Sequence, residues 1–132
     1  MIHNLKNITA TLFTIYIIIG CEDIVEVTDI SDVKVELLAP LQNSVVGDSI
    51  VNFSWYKITE ADSYVVQVAT PNFESAVQLV MDSIIVVDST FIGAKATKIL
   101  IDNNYEWRVK AMNSGYETPF SSSAFRVNAT GN

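Results

Sequence analysis

An all-β sandwich of about seven antiparallel strands is the fold that this 132-residue sequence predicts. Three observations carry the prediction. Residues 105–111 alternate strictly, with Tyr105, Trp107, Val109 and Ala111 on one side and Glu106, Arg108 and Lys110 on the other. A period of two belongs to a strand with one face in a core and one in water. Short β-rich runs recur at roughly ten-residue spacing between Asn, Asp, Gly, Ser and Pro clusters. After Cys21 no stretch carries a helical period of useful length. The strand at 105–111 is the heaviest of the set. A Trp and a Tyr each bury about 150–250 Å², and at roughly 25 cal/mol/Å² the Trp alone contributes on the order of 4–6 kcal/mol, an upper bound. This strand therefore belongs in the middle of a sheet.

Taken in order, the chain opens on a short segment with one basic side chain, Lys6. A run of mostly apolar residues follows at 8–19, then Gly20-Cys21, and then the acidic pair Glu22-Asp23. A dozen apolar residues is short for a bilayer-spanning helix, which takes about 20, and matches the apolar centre of a secretory signal. Residues 21–34 hold Glu22, Asp23, Glu26, Asp29 and Asp32 without a sustained pattern and read as a mobile tether. A first edge strand spans 35–39 and ends at Pro40. Turn formers fill 42–49. The second strand, 50–55, turns Val51, Phe53 and Trp55 inward. After a loop at 56–62, the third strand, 63–69, turns Tyr64, Val66 and Val68 inward.

Two short runs, 77–80 and 84–87, are separated by Met81-Asp82-Ser83 and read as short strands crossing between sheets. A turn at 88–90 leads to a strand at 97–101, with Gly93 marking a bend. Asp102-Asn103-Asn104 turns into the strand at 105. A loop at 113–119 precedes the last strand, 124–127, with Phe125 and Val127 inward. The domain spans 35–128 and the tail 129–132.

Three resemblances add to this reading. Ile18-Ile19-Gly20-Cys21 resembles a bacterial lipobox, which implies that residues 1–20 are a signal peptide, that cleavage falls before Cys21, and that lipid is attached to its sulfur and new amino group. Glu22 and Asp23 resemble the acidic export signals of Bacteroidota lipoproteins, which implies a surface-exposed place on the outer membrane. Trp55, the Ala61-Asp62-Ser63-Tyr64 lead into the third strand, and Tyr105-Glu106-Trp107-Arg108-Val109-Lys110-Ala111 resemble a fibronectin type III domain, an immunoglobulin-like sandwich, in the form common in Bacteroidota cell-surface lipoproteins. Asp102-Asn103-Asn104 stands where that family often has a Pro-containing turn, which weakens the expected corner in which the Tyr105 hydroxyl bonds back to the preceding loop.

Composition narrows the chemistry. The formal net charge is −7 and the positive charges are dispersed, so a nucleic-acid partner is excluded. One Cys excludes an internal disulfide. His3 is the single His; once residues 1–20 are removed, neither a His nor a free thiol is left for metal-imidazole or Cys–His work. The carboxylates scatter through turns and tether rather than pairing as catalysis requires. Asp102, Asn103 and Asn104 lack the alternate-ligand spacing and glycine turn of a Ca²⁺ loop. The expectation is no enzyme, no metal and no cofactor. Arg108 and Lys110 are expected to pair across strands.

Ligand contact is expected from the loop aromatics Tyr56, Tyr116 and Phe120, because such loops cluster at one end of a sandwich. Asp48-Ser49-Ile50, Asp82-Ser83-Ile84 and Asp88-Ser89-Thr90 resemble the acceptor of Bacteroidota protein O-glycosylation, which implies glycans on Ser49, Ser83 and Ser89. The function expected is a non-enzymatic binding or interaction module held at the cell envelope by lipid on Cys21, with a glycan or a protein as partner. One rival is a glycan-binding accessory of an outer-membrane polysaccharide uptake system, marked by converging loop aromatics. Another is a structural spacer or subunit of a surface complex, marked by an apolar strip on an exposed sheet face or edge.

Overall fold

The computed structural model describes residues 26–88 and 94–131. Eight strands form among them: β1 (Leu37–Ala39), β2 (Ser44–Val46), β3 (Ile50–Trp55), β4 (Ser63–Thr70), β5 (Gln78–Val86), β6 (Lys95–Ile99), β7 (Asn103–Met112) and β8 (Ser121–Val127). They make a three-stranded sheet in the order β1-β3-β6 and a five-stranded sheet in the order β2-β8-β7-β4-β5. Pairing is antiparallel except between β2 and β8.

The alternation of β7 does what its pattern requires. Tyr105, Trp107, Val109 and Ala111 are buried, and β4 and β8 flank the strand on either side. Inner residues of four strands meet between the sheets: Val51, Phe53 and Trp55 from β3; Tyr64, Val66 and Val68 from β4; the β7 set; Phe125 and Val127 from β8. The rings interlock at the spacings aromatic pairs favour. Trp107 lies 5.1 Å from Phe53 and 6.4 Å from Trp55, Trp55 lies 5.4 Å from Tyr64, and Phe125 lies 5.5 Å from Tyr105. Trp107 Nε1 donates to the Pro40 carbonyl at 2.9 Å, so its one polar atom is satisfied in the core. Trp55 Nε1 is buried with no acceptor among the described residues, a cost of about 1–3 kcal/mol set against the burial of its ring.

Several expectations are corrected. The two short runs at 77–80 and 84–87 are one strand, β5, which runs along the edge of the five-stranded sheet instead of crossing between sheets. A bulge makes this possible: Val68 faces Met81 and Ala69 faces Leu79, so Val80 is extra, and the strand bends there without breaking. The turn region 42–49 contains β2, which lies parallel to Phe125, Arg126 and Val127 of β8. The corner at Tyr105 forms despite Asp102-Asn103-Asn104, its hydroxyl donating to the Ile101 carbonyl at 2.7 Å.

The acidic segment read as a tether packs in part. Ile30 is 1% exposed inside the core, and the Asn113 side chain donates to the Thr28 carbonyl at 2.8 Å. Burying Ile30 contributes about 1.5–3 kcal/mol, enough to offset the ordering of one or two residues beside it. At the other end Asp102 accepts hydrogen bonds from Ala129 and Thr130, which ties down the tail. The Thr130 hydroxyl, then the Ala129 N–H, holds the Asp102 carboxyl below the usual carboxylate range. The apolar run at 8–19, Cys21 and Ser89 lie outside the described residues.

Trp107→Ala is expected to destabilise the chain by about 3–5 kcal/mol, as core aromatic truncations do, out of a total of about 5–15 kcal/mol. Urea unfolding followed by far-UV circular dichroism measures this. A midpoint matching the wild type would place Trp107 outside the core.

Candidate functional site

A β-sandwich has edges, and each exposes unpaired N–H and C=O groups that recruit other strands unless they are blunted. Among the described residues three of the four sheet edges are blunted. β1 and β2 are three residues each, and β6 carries Lys95 and Lys98 in five residues. β5 is the exception: nine residues, with no Lys, no Pro and one charge, Asp82. That charge is already engaged, because Asp82 accepts a hydrogen bond from Gln67 at 3.1 Å. The strand and its approach expose Val77 (86%), Ile84 (65%), Val86 (60%) and Leu79 (47%).

The register places these residues in rows across the outer face of the five-stranded sheet. Ile84, Val65 and Lys110 form one row; Asp82, Gln67, Arg108 and Ser122 the next; Leu79, Ala69, Glu106 and Ala124 the third. Rows repeat about every 6–7 Å along a strand, and neighbouring strands lie about 4.8 Å apart.

Arg108 stands at the centre of this face. Its guanidinium lies 4.0 Å from the centroid of the Phe73 ring and 4.1 Å from that of Phe120, so it is held between two aromatic side chains. Its Nε donates to Gln67 Oε1 at 2.9 Å. Lys110 lies 4.9 Å from the Phe120 centroid and pairs with Glu117 at 3.1 Å. Phe73 is brought over the sheet by its own N–H, which donates to Glu106 Oε1 at 3.0 Å. The result is a row of cross-strand partners roofed by two half-buried rings.

No protein-family model matches the chain, and no curated protein matches it in sequence. Among solved structures, a fibronectin(III)-like module of Clostridium thermocellum CbhA is similar with a TM-score of 0.50 and 13% identity, over 72% of this chain and 96% of that one. The fold is fibronectin type III-like. A protein described as FN3tt (TM-score 0.49, 12% identity, 73% of this chain and 98% of that one) and a redesigned β-sandwich protein (0.48, 15%, 73% and 92%) are also similar.

On this fibronectin type III-like frame Phe120 parts from the other expected loop aromatics, while the loops carrying Tyr56 and Tyr116 touch where the Asn113 side chain donates to the Glu60 carbonyl. Tyr56 follows β3, is 53% exposed, and its N–H donates to the Glu36 carbonyl. Tyr116 is 40% exposed in a tight turn, where Asn113 Oδ1 accepts the N–H of Gly115 and of Tyr116. Phe120 leaves the loop for the outer sheet face, under Arg108 and Lys110. Tyr116 and Phe120 line different grooves. The one beside Phe120 measures about 750 Å³, lies between β1 and β8, and is lined also by Lys34, Glu36, Gln42, Ser121 and Ser123. Ser121 Oγ is buried there with no partner among the described residues.

Ser49 is half-buried between β2 and β3, its carbonyl accepting the Leu100 N–H. Ser83 lies within β5 rather than in a turn, opposite the buried Val66, on the inner side of the edge strand. Burial pushes the hydroxyls of Tyr64 and Tyr105 above the usual phenol range, with the Asp102 carboxylate adding to the effect at Tyr105. Among the described residues no group of three His, Cys, Asp or Glu side chains is placed to hold a metal ion. Residue-by-residue reading missed Phe73, which stands far from Arg108 in sequence and whose isolated ring carries no pattern. The signal that existed was the near absence of charge from 77–87.

Phe120→Ala should cost about 1–2 kcal/mol from lost ring burial and cation–π contact. Tyr56→Ala and Tyr116→Ala should stay within about 0.5 kcal/mol of wild type. Urea denaturation of the three variants decides; equal losses would put the loop tyrosines into the packing.

Proposed function

We propose that the chain is a non-enzymatic interaction module of the bacterial cell envelope, anchored by lipid on Cys21, which docks a partner protein on β5 and the outer sheet face beside it. The observation that carries this reading is β5 itself. It is the long edge that lacks the charges, prolines and shortness by which the other edges avoid association. Exposed apolar side chains at Leu79, Ile84 and Val86 supply an adhesive strip, and the unpaired strand edge supplies main-chain hydrogen bonds for an added strand. The placing of Tyr116 and Phe120 in different grooves weighs against a single converging aromatic platform for a sugar.

A glycan-binding reading keeps one supporting observation, the polar groove beside Phe120 with the unpartnered Ser121 hydroxyl in it. Selecting binders to the chain from a random-peptide phage library, with a glycan array in parallel, separates the two. The expected result is peptide binders that Ile84→Asp abolishes, and no glycan whose binding survives competition by those peptides. Glycan binding without peptide binders would contradict the docking reading.

The anchor rests on the apolar run before Cys21 and the small residue preceding it. Each buried methylene contributes about 0.8 kcal/mol and one acyl chain holds only marginally, so a di- or triacylated Cys21 is what stable attachment needs. Among the described residues no helix is long and apolar enough to cross a membrane. Cys21→Ser, expressed in a bacterial host that lipidates, is expected to lose the lipid from the N-terminal peptide. Mass spectrometry of the wild-type N-terminus that finds an intact, unmodified 1–21 segment would overturn the anchor.

A further inference from the structure

We infer that Arg108 is the receptor for a carboxylate on the partner that docks at the outer sheet face. This deepens the docking reading and rests on it.

The argument starts from what surrounds the guanidinium. Both neighbouring rings, Phe73 and Phe120, lie about 4 Å from Cζ, so the flat faces of the group are covered. Nε is spent on Gln67. Gln67 is itself fixed, donating through Nε2 to Asp82. The head group is thereby locked in place by stacking from the sides and by a hydrogen-bond row from below. Its two terminal nitrogens carry four N–H donors, and the described residues offer them no acceptor.

The neighbouring carboxylates make bonds of their own. Glu106 accepts from the Phe73 backbone, Asp82 from Gln67, and Glu117 pairs with Lys110. Among the described residues the guanidinium has no carboxylate within ion-pair distance. A half-buried cation held rigid with its fork unpaired is arranged for an external anion, since much of the ordering cost of a flexible Arg is already met by the fold.

The chemistry of that anion follows from shape and charge. A free pair of parallel N–H donors matches a planar carboxylate in bidentate geometry. A dianionic phosphate or a polyanion meets a chain of net charge −7, which disfavours it at long range. The surroundings name the rest of the partner. Val65 and Ile84 lie in the row next to Arg108, and Ile84 is two strands away, about 10 Å across the sheet. The fitting partner is a protein segment that presents an Asp or Glu, or a C-terminal carboxylate, flanked by apolar side chains.

The test is a titration of the full-length ¹⁵N-labelled chain with N-acetylglutamate α-N-methylamide, whose single carboxylate is that of the side chain, following the Arg108 Nε–H resonance. N-acetylglutamine α-N-methylamide, which has no carboxylate, and inorganic phosphate serve as parallel probes at matched ionic strength. The expected result is a saturating shift with the carboxylate and about tenfold weaker binding of the side-chain amide, the size of a charge-assisted hydrogen bond. Arg108→Lys, which keeps the charge and loses the fork, should weaken acetylglutamate about as much, read in wild type and variant alike from the backbone amides of Gln67 and Ser122 opposite position 108. Ile84→Asp should abolish the selected peptides and leave the acetylglutamate shift in place, so failure of the docking reading and failure of this inference give different results. Equal responses to the acid and the amide, tighter binding of phosphate, no response at Arg108, or an Arg108→Lys variant that binds as wild type would each overturn the inference.

Discussion

The closure of two sheets around Trp107 is the constraint on which the rest of the structure depends. Its ring touches Phe53 and Trp55 of the opposite sheet, and its Nε1 bonds to the Pro40 carbonyl at the end of β1, 67 positions away in sequence. One side chain thus joins the middle strand of the large sheet to the first strand of the small one. Because strand side chains alternate, burying Trp107 settles the orientation of its neighbours in β7. Tyr105, Val109 and Ala111 follow it inward, and Glu106, Arg108 and Lys110 must face out.

The outer face is where that constraint assembles the candidate site. Pairing β4 and β8 against β7 brings Gln67 and Ser122 level with Arg108, and pairing β5 against β4 adds Asp82 to the row. Phe73 and Phe120 then arrive from two loops to cover the guanidinium. The sandwich ends on this side at β5, whose outer edge meets no further strand among the described residues. On the proposed docking reading, that edge supplies the short-range apolar and main-chain groups that an added strand would use.

Parity made the core readable from sequence. Val51, Phe53 and Trp55, Tyr64, Val66 and Val68, and Phe125 and Val127 all face inward where alternation places them. Three features escaped that logic, each for a physical reason. β5 looked like two strands because Asp82-Ser83 interrupts its apolar run, although in an edge strand a polar residue on the open face costs nothing. Ile30 and Thr28 read as tether because the acidic residues around them dominate the local composition, while the contacts that dock the segment are tertiary, the burial of Ile30 and the Asn113 bond to the Thr28 carbonyl. Phe73 gave no signal at all, since its place over Arg108 is made by a tertiary hydrogen bond to Glu106. Of the expected loop aromatics, Phe120 belongs to the surface argued here, but on the sheet face rather than at the loop tip.

Native-state hydrogen exchange of the free chain shows whether a core closed on β7 leaves β5 as an open edge. β7 amides, paired on both sides, should exchange only through global unfolding, with protection matching the unfolding free energy. Along β5 protection should alternate, the amides facing β4 being slowed and those on the outer edge exchanging at nearly unprotected rates. Continuous protection of β5 in the free chain, or β7 amides that exchange as fast as loops, would contradict the account.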